Sequence, residues 1–197
     1  MSSCSNSNQT SDSEKSDRPD TTEKHRHKKD SSISEIINTT VELLQNHAES
    51  VNIDRRFAAI MKYFNHAAIG MANILLTKSK TDVLRKFVNE IITRRREEIN
   101  EMNLFLREEP NDTSPFIKEF QKSVDESVSK MKGALGLQES GIDNLYIQCM
   151  IIFHQAVINI VEAELKYGSH QTLKIYARNI LSAEAEELQQ LESRFKQ

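Results

Sequence analysis

The sequence predicts an all-α protein: an antiparallel four-helix bundle built from two repeated helical hairpins, with two additional helices packed on its outside. Three observations lead there. The 197 residues include only 5 Gly and 3 Pro, too few tight-turn residues for a many-stranded sandwich or barrel. With 28% charged and 38% hydrophobic residues, long breaker-free runs read as amphipathic helices. Finally, the segment Ile53–Leu106 lies without a gap over Ile142–Phe195 at an offset of 89 residues.

Residues 1–31 carry almost no apolar side chains, so they cannot bury enough surface to offset ordering entropy. They are expected to form a disordered polar tail, with a short basic knot at His25, Arg26, His27, Lys28 and Lys29. The helical domain is expected to fill 32–197. Ile33, Ile36, Ile37, Val41 and Leu44 recur at helical spacing, with Ser31 or Ser32 placed to cap. A second helix runs from about Asp54 to Thr77 on the seam Phe57, Met61, Phe64, Ala68, Met71, Leu75. Thr81 or Asp82 caps a third, which reaches Leu106 on the seam Leu84, Val88, Ile91, Arg95, Glu98, Met102. Pro110 and Pro115 bound the linker. The first repeat thus spans about 33–107, the linker 108–115, and the second repeat about 116–196. The second contains helices from about Phe116 to Leu135, Ile142 to Tyr167 and Gln171 to Phe195, the last two joined at Gly168.

Eleven paired positions are identical across the repeat, among them Asp54/Asp143, Met61/Met150, Phe64/Phe153 and Glu98/Glu187. One hairpin cannot cover its own apolar faces, but two can bury them about a pseudo-twofold axis. The seams also carry residues that an inert bundle does not need. Arg95 and its counterpart Glu184 take inward positions, followed by Glu98 and Glu187, while Asn65 pairs with His154 on the facing helices. Buried charges are costly unless paired. An interior Arg95–Glu184 ion pair is therefore expected; the alternative is a rotated helix that leaves Arg95 in the surface run 94–98.

A metal site is the other use for such a layer. Met150 and His154 share a helix face and, with Met61, Met71, Met102 and His66, form a soft donor set suited to copper. A ferritin-type di-iron site is excluded, because no Glu is followed three residues later by His. No phosphate-binding glycine loop, nucleophile elbow or Cys-x-x-Cys pair is present, and the chain is not expected to be an enzyme or to need a cofactor. The net charge of −3 argues against nucleic acid and leaves an unidentified protein partner. Cys4 and Cys149 make no disulfide framework. The sequence shows no signal peptide and no membrane-length apolar run, so a cytoplasmic protein without a membrane span is expected.

The stretch Met61-Lys-Tyr-Phe-Asn-His-Ala-Ala-Ile-Gly-Met-Ala72, followed by Glu90-Ile-Ile-Thr-Arg-Arg-Arg-Glu-Glu-Ile-Asn-Glu-Met102, resembles the domain of unknown function 305 family. Its second copy, Met150–Val161 with Ile180–Leu191, is similar. The resemblance implies a ferritin-like bundle and, for some members, copper held by His and Met. By position, the family's two histidines fall on Phe64 and Asn65 in copy one and on Phe153 and His154 in copy two. Its Gln falls on Arg95 and Glu184, its Glu on Glu98 and Glu187, and its last Met on Met102 and Leu191. The change from Gln and Gln to Arg and Glu is charge-complementary, as when a metal site becomes a structural pair. The expected function is a non-catalytic binding or structural component with a degenerate site; the alternative is copper binding or storage through His154 and the methionines.

Overall fold

The computed structural model describes residues 32–46, 50–107, 113–137 and 141–195. The tail expected over 1–31, with Cys4 and the basic knot, and linker residues 108–112 lie outside the described residues. Six α-helices are described: α1 (Ile33–Asn46), α2 (Ile53–Lys78), α3 (Asp82–Arg107), α4 (Ile117–Ala134), α5 (Ile142–Tyr167) and α6 (Gln171–Gln190). A π-helical turn, Leu191–Phe195, continues α6. No strand occurs among the described residues, and the protein is all-α.

Local chemistry explains most helix starts. Ser32 and Glu35 form a reciprocal capping box before α1: the Glu35 N–H donates to Ser32 Oγ (3.0 Å), and the Ser32 N–H donates to Glu35 Oε2 (2.8 Å). Asn52 caps α2 by accepting from the Arg55 N–H at 2.9 Å, so the helix begins at Ile53, one residue before the start expected from the seam. Gly141 precedes α5 with φ of 117°, a conformation that favours glycine. At α3, Thr81 directs its hydroxyl to Asp143 Oδ2 (2.6 Å) rather than to its own helix.

The apolar seams set the packing. α2 packs on α1, α3 and α5; α5 also packs on α4 and α6; and α1 packs on α4. Phe57, Met61, Phe64, Ala68, Met71 and Leu75 of α2 are all buried, as are Tyr146, Met150, Phe153, Val157 and Ile160 of α5. Phe64 meets Phe153 edge to face, with ring centroids 5.0 Å apart, in the geometry aromatic quadrupoles favour. α5 is long and apolar enough to cross a membrane by length and composition, but 61% of its most apolar window is buried inside the domain. Cys149 is buried on this helix.

α3 and α6 are the exception. Their backbones do not pack closely as the other neighbouring pairs do, and long side chains bridge the gap. Phe87 meets Phe195 at 5.5 Å, and Phe105 meets Tyr176 at 5.7 Å. Between these aromatic contacts lie Arg94, Arg95 and their carboxylate partners.

Candidate functional site: a buried ionic layer

The 3-4 spacing that makes α3 amphipathic carries its apolar stripe through Ile91 to Met102 and places Arg95 on that stripe. Arg95 is accordingly 1% exposed; the rotated, surface-run alternative does not occur. Its Nη1 donates to both oxygens of Glu98, at 2.8 and 2.9 Å. Its Nη2 lies 2.6 Å from Glu184 Oε1 and also contacts Glu187 Oε2. The structure therefore brings Arg95 and Glu184 together inside the domain and adds two carboxylates to the pair. Arg94, one position round the helix, reaches Glu187 Oε1 at 2.6 Å from a partly exposed position.

α5 supplies the remaining member. His154 is fully buried, and its Nδ1 lies 2.5 Å from Glu184 Oε2. Its Nε2 is 3.8 Å from Glu187 Oε2 and has no hydrogen-bond partner among the described residues. The same holds for the buried Asn65 Nδ2 and Tyr146 Oη. Tyr146 was not among the expected site residues. Its place eight residues before His154, on the same helix face, was the available signal.

Electrostatics follow from this geometry. Burial works against the Arg95 cation, but Glu184, Glu98 and Glu187 outweigh it and hold the guanidinium above its ordinary pKa. Burial also raises Glu184, yet Arg95 and His154 overcome it and the net shift is downward. Glu187 and Glu98 shift upward, because burial and like charges prevail over Arg95. Burial, reinforced by Glu187, pushes the Tyr146 phenol up. Three carboxylates face two guanidiniums across a histidine.

His154, Glu184 and Glu187 have ligand-type atoms within 4.8 Å of one another, close enough to surround one ion. The surroundings do not fit one. Arg95 is already ion-paired with both glutamates, and a metal ion there would sit beside a buried positive charge. Of the four positions where the resembled motif has histidine, Phe64, Phe153 and Asn65 offer no imidazole. Met61, Met102 and Met150 are all completely buried in the apolar core. His66 requires a correction: it is exposed on α2 and lines a surface groove with Glu35 and Leu43 of α1, so it does not join the buried donors. It directly follows the inward Asn65, and that one-residue step turns it about 100° around the helix.

A second polar cluster escaped sequence reading. Asp54, in the first turn of α2, accepts from the Ser169 N–H (2.9 Å), the Ser169 hydroxyl (2.7 Å) and the His170 N–H (2.9 Å) at the α5–α6 turn. Its counterpart Asp143 accepts from Thr81 at the α2–α3 turn. Each of the two aspartates thus clamps the turn that follows the other's helix. Glu164, where copy one has Leu75, is completely buried. Among the described residues no donor reaches its carboxyl oxygens. Burial and the neighbouring Asp54 push its pKa up to about 9, so at neutral pH it keeps a proton. The identity of Asp54 and Asp143 was a visible signal, but their partners lie over a hundred or some sixty residues away in sequence.

Above the ionic layer, α3 and α6 leave a surface groove of about 350 Å³ lined by Glu97, Glu98 and Glu101 on one side and Tyr176, Asn179 and Ile180 on the other. Comparison with curated proteins and with solved structures returned no match. The motif had pointed to the domain of unknown function 305 family; the family model that matches is another, covering residues 39–193. That span runs from within α1 into the π-helical turn and takes in α4, which the motif leaves out. The chain belongs to the family described as Domain of unknown function (DUF4142).

Proposed function

We propose that this protein is a non-catalytic, ferritin-like helical bundle acting as a binding or structural component, in which Arg95 supplies the interior cation in place of a metal. The observation that carries the reading is the single guanidinium of Arg95 contacting Glu98, Glu184 and Glu187. In this reading α2–α3 and α5–α6 are two copies of one hairpin. Support comes from the equal 26-residue lengths of α2 and α5, from the start of α3 at Asp82 and α6 at Gln171, and from the reciprocal aspartate clamps. We place the protein in the cytoplasm without a membrane span, with a protein partner rather than nucleic acid. The packing of α2, α4 and α6 around the long apolar helix α5 supports a soluble domain.

One observation favours the copper alternative. The Nε2 of His154 has no hydrogen-bond partner among the described residues, and the buried Met150 lies one turn before it on the same face. Titration of the full chain with copper(I) in a competition assay tests both readings. The main reading predicts no binding beyond weak surface association and no rise in melting temperature. A stoichiometric site that raises the melting temperature and disappears in His154→Ala would replace it with the copper reading.

A further inference from the structure

We infer that the groove between α3 and α6 is a docking site for a short, basic amphipathic helix of a partner protein. This rests on the reading of the protein as a binding component, and names the surface and the kind of partner. Closely packed helices leave no room between them. Here the backbones stand apart, held by the Arg94 and Arg95 bridges to Glu184 and Glu187, and the resulting groove has a volume of about 350 Å³. Its floor is apolar, with the buried side chains of Met102 and Ile180.

The chemistry of the rim selects the partner. Glu97, Glu98 and Glu101 line the α3 side. The cation among the lining residues, Arg94, is engaged by Glu187 at 2.6 Å. Glu98 is taken up by Arg95, which leaves Glu97 and Glu101 as the carboxylates that a cationic partner would neutralise. Along the same two stripes stand exposed apolar side chains. Leu104 follows Glu101 by three residues and is 53% exposed; Ile175 precedes Asn179 by four and is 56% exposed. The Phe105–Tyr176 ring contact holds this part of α3 beside the start of α6, so the two exposed side chains stand on the stretches of helix that flank this end of the groove. One acidic wall leading to apolar lips matches a helix with lysine or arginine beside a leucine-type stripe. From Arg94 to Leu104 the groove runs about 15 Å at 1.5 Å per residue, or about three turns of partner helix.

The test uses the full chain and a fluorescein-labelled synthetic helix of roughly three turns, with leucine at i, i+4 spacing and lysine on the flanks. A control peptide carries glutamate in place of lysine. Fluorescence anisotropy should show binding of the lysine peptide and none of the glutamate peptide. Affinity should fall roughly tenfold or more in Glu97→Lys/Glu101→Lys, and by a similar factor in Leu104→Ser/Ile175→Ser. These positions are at the surface, so unchanged circular dichroism and melting temperature verify folding. A Val83→Ser variant, changed at an exposed valine at the start of α3, should bind like the parent. No binding of the lysine peptide, or binding indifferent to either double variant, overturns the proposal. So does a dimer in sedimentation that Ile175→Ser abolishes, which makes a second copy the occupant. So does an intramolecular crosslink from position 175 to residues 24–29, which makes the chain's own basic segment the occupant. Copper titration of the same preparation reads the underlying function separately.

Discussion

Burying a guanidinium or a carboxylate costs several kcal/mol unless partners meet it, and Arg95 meets three carboxylates. Arg95→Met leaves Glu98, Glu184 and Glu187 together without their central cation. Urea unfolding at pH 7 should show a loss of about 3–5 kcal/mol, partly recovered in Arg95→Met/Glu184→Met. The acids also set how stability follows pH. The folded-state pKa of Glu184 is depressed, so its contribution is present above the ordinary carboxylate range and is lost as pH falls below it. Glu164 behaves in the opposite sense. Its folded-state pKa is raised from 4.5 to about 9, so its contribution is complete below the ordinary carboxylate range. It is lost progressively as pH rises towards 9. Melting temperatures from pH 6 to 9 should fall in the parent and fall less steeply in Glu164→Gln. At this scale the sequence was partly legible. Arg95 and Glu184 could be read as partners because both interrupt apolar stripes, 89 residues apart, the offset at which the two segments align. Glu164 could not, because the Asp54 that raises it belongs to the first turn of another helix.

Helices read well because their determinants are local. The 3-4 stripes set the faces of α2, α3 and α5. Ser32 with Glu35, and Asn52, fix two starts through bonds spanning three residues. Thr81 is the instructive departure: read as a cap, it spends its hydroxyl on Asp143 of another helix. The π-helical turn at Leu191–Phe195 has no signature in the apolar periodicity. The glycines offer a sharp contrast. A Cβ at Gly168 would overlap the Glu164 carboxyl and lie 2.8 Å from the Glu164 backbone oxygen, whereas nothing lies within 4 Å of a Cβ at Gly133. Thermal unfolding should therefore show Gly168→Ala destabilised by about 1–3 kcal/mol. Gly133→Ala, near the end of α4, should be stabilised by up to about 1 kcal/mol. Asp54→Ala should cost more than Asp143→Ala, within roughly 0.5–2 kcal/mol for a lost cap-like acceptor, because Asp54 serves two backbone N–H groups and a hydroxyl and Asp143 serves one hydroxyl.

Over the whole molecule, helix composition and the gapless offset made the all-α class legible. The open seam between α3 and α6 was not, since it depends on how far long side chains hold backbones apart, and neither was the pairing of α1 with α4, which joins helices far apart in sequence. His66 shows the same limit in miniature: a histidine one residue from an inward asparagine looks available to the interior until the helix face is fixed by packing against α1. The account's central claim is that Arg95 provides the positive charge around which Glu98, Glu184 and Glu187 assemble. It is tested most directly by elemental analysis of the full chain, purified without chelator from copper-supplemented cells. The predicted result is far below one metal ion per chain, with a melting temperature unchanged by chelator. About one copper per chain, retained through dialysis and lost in His154→Ala, would contradict it.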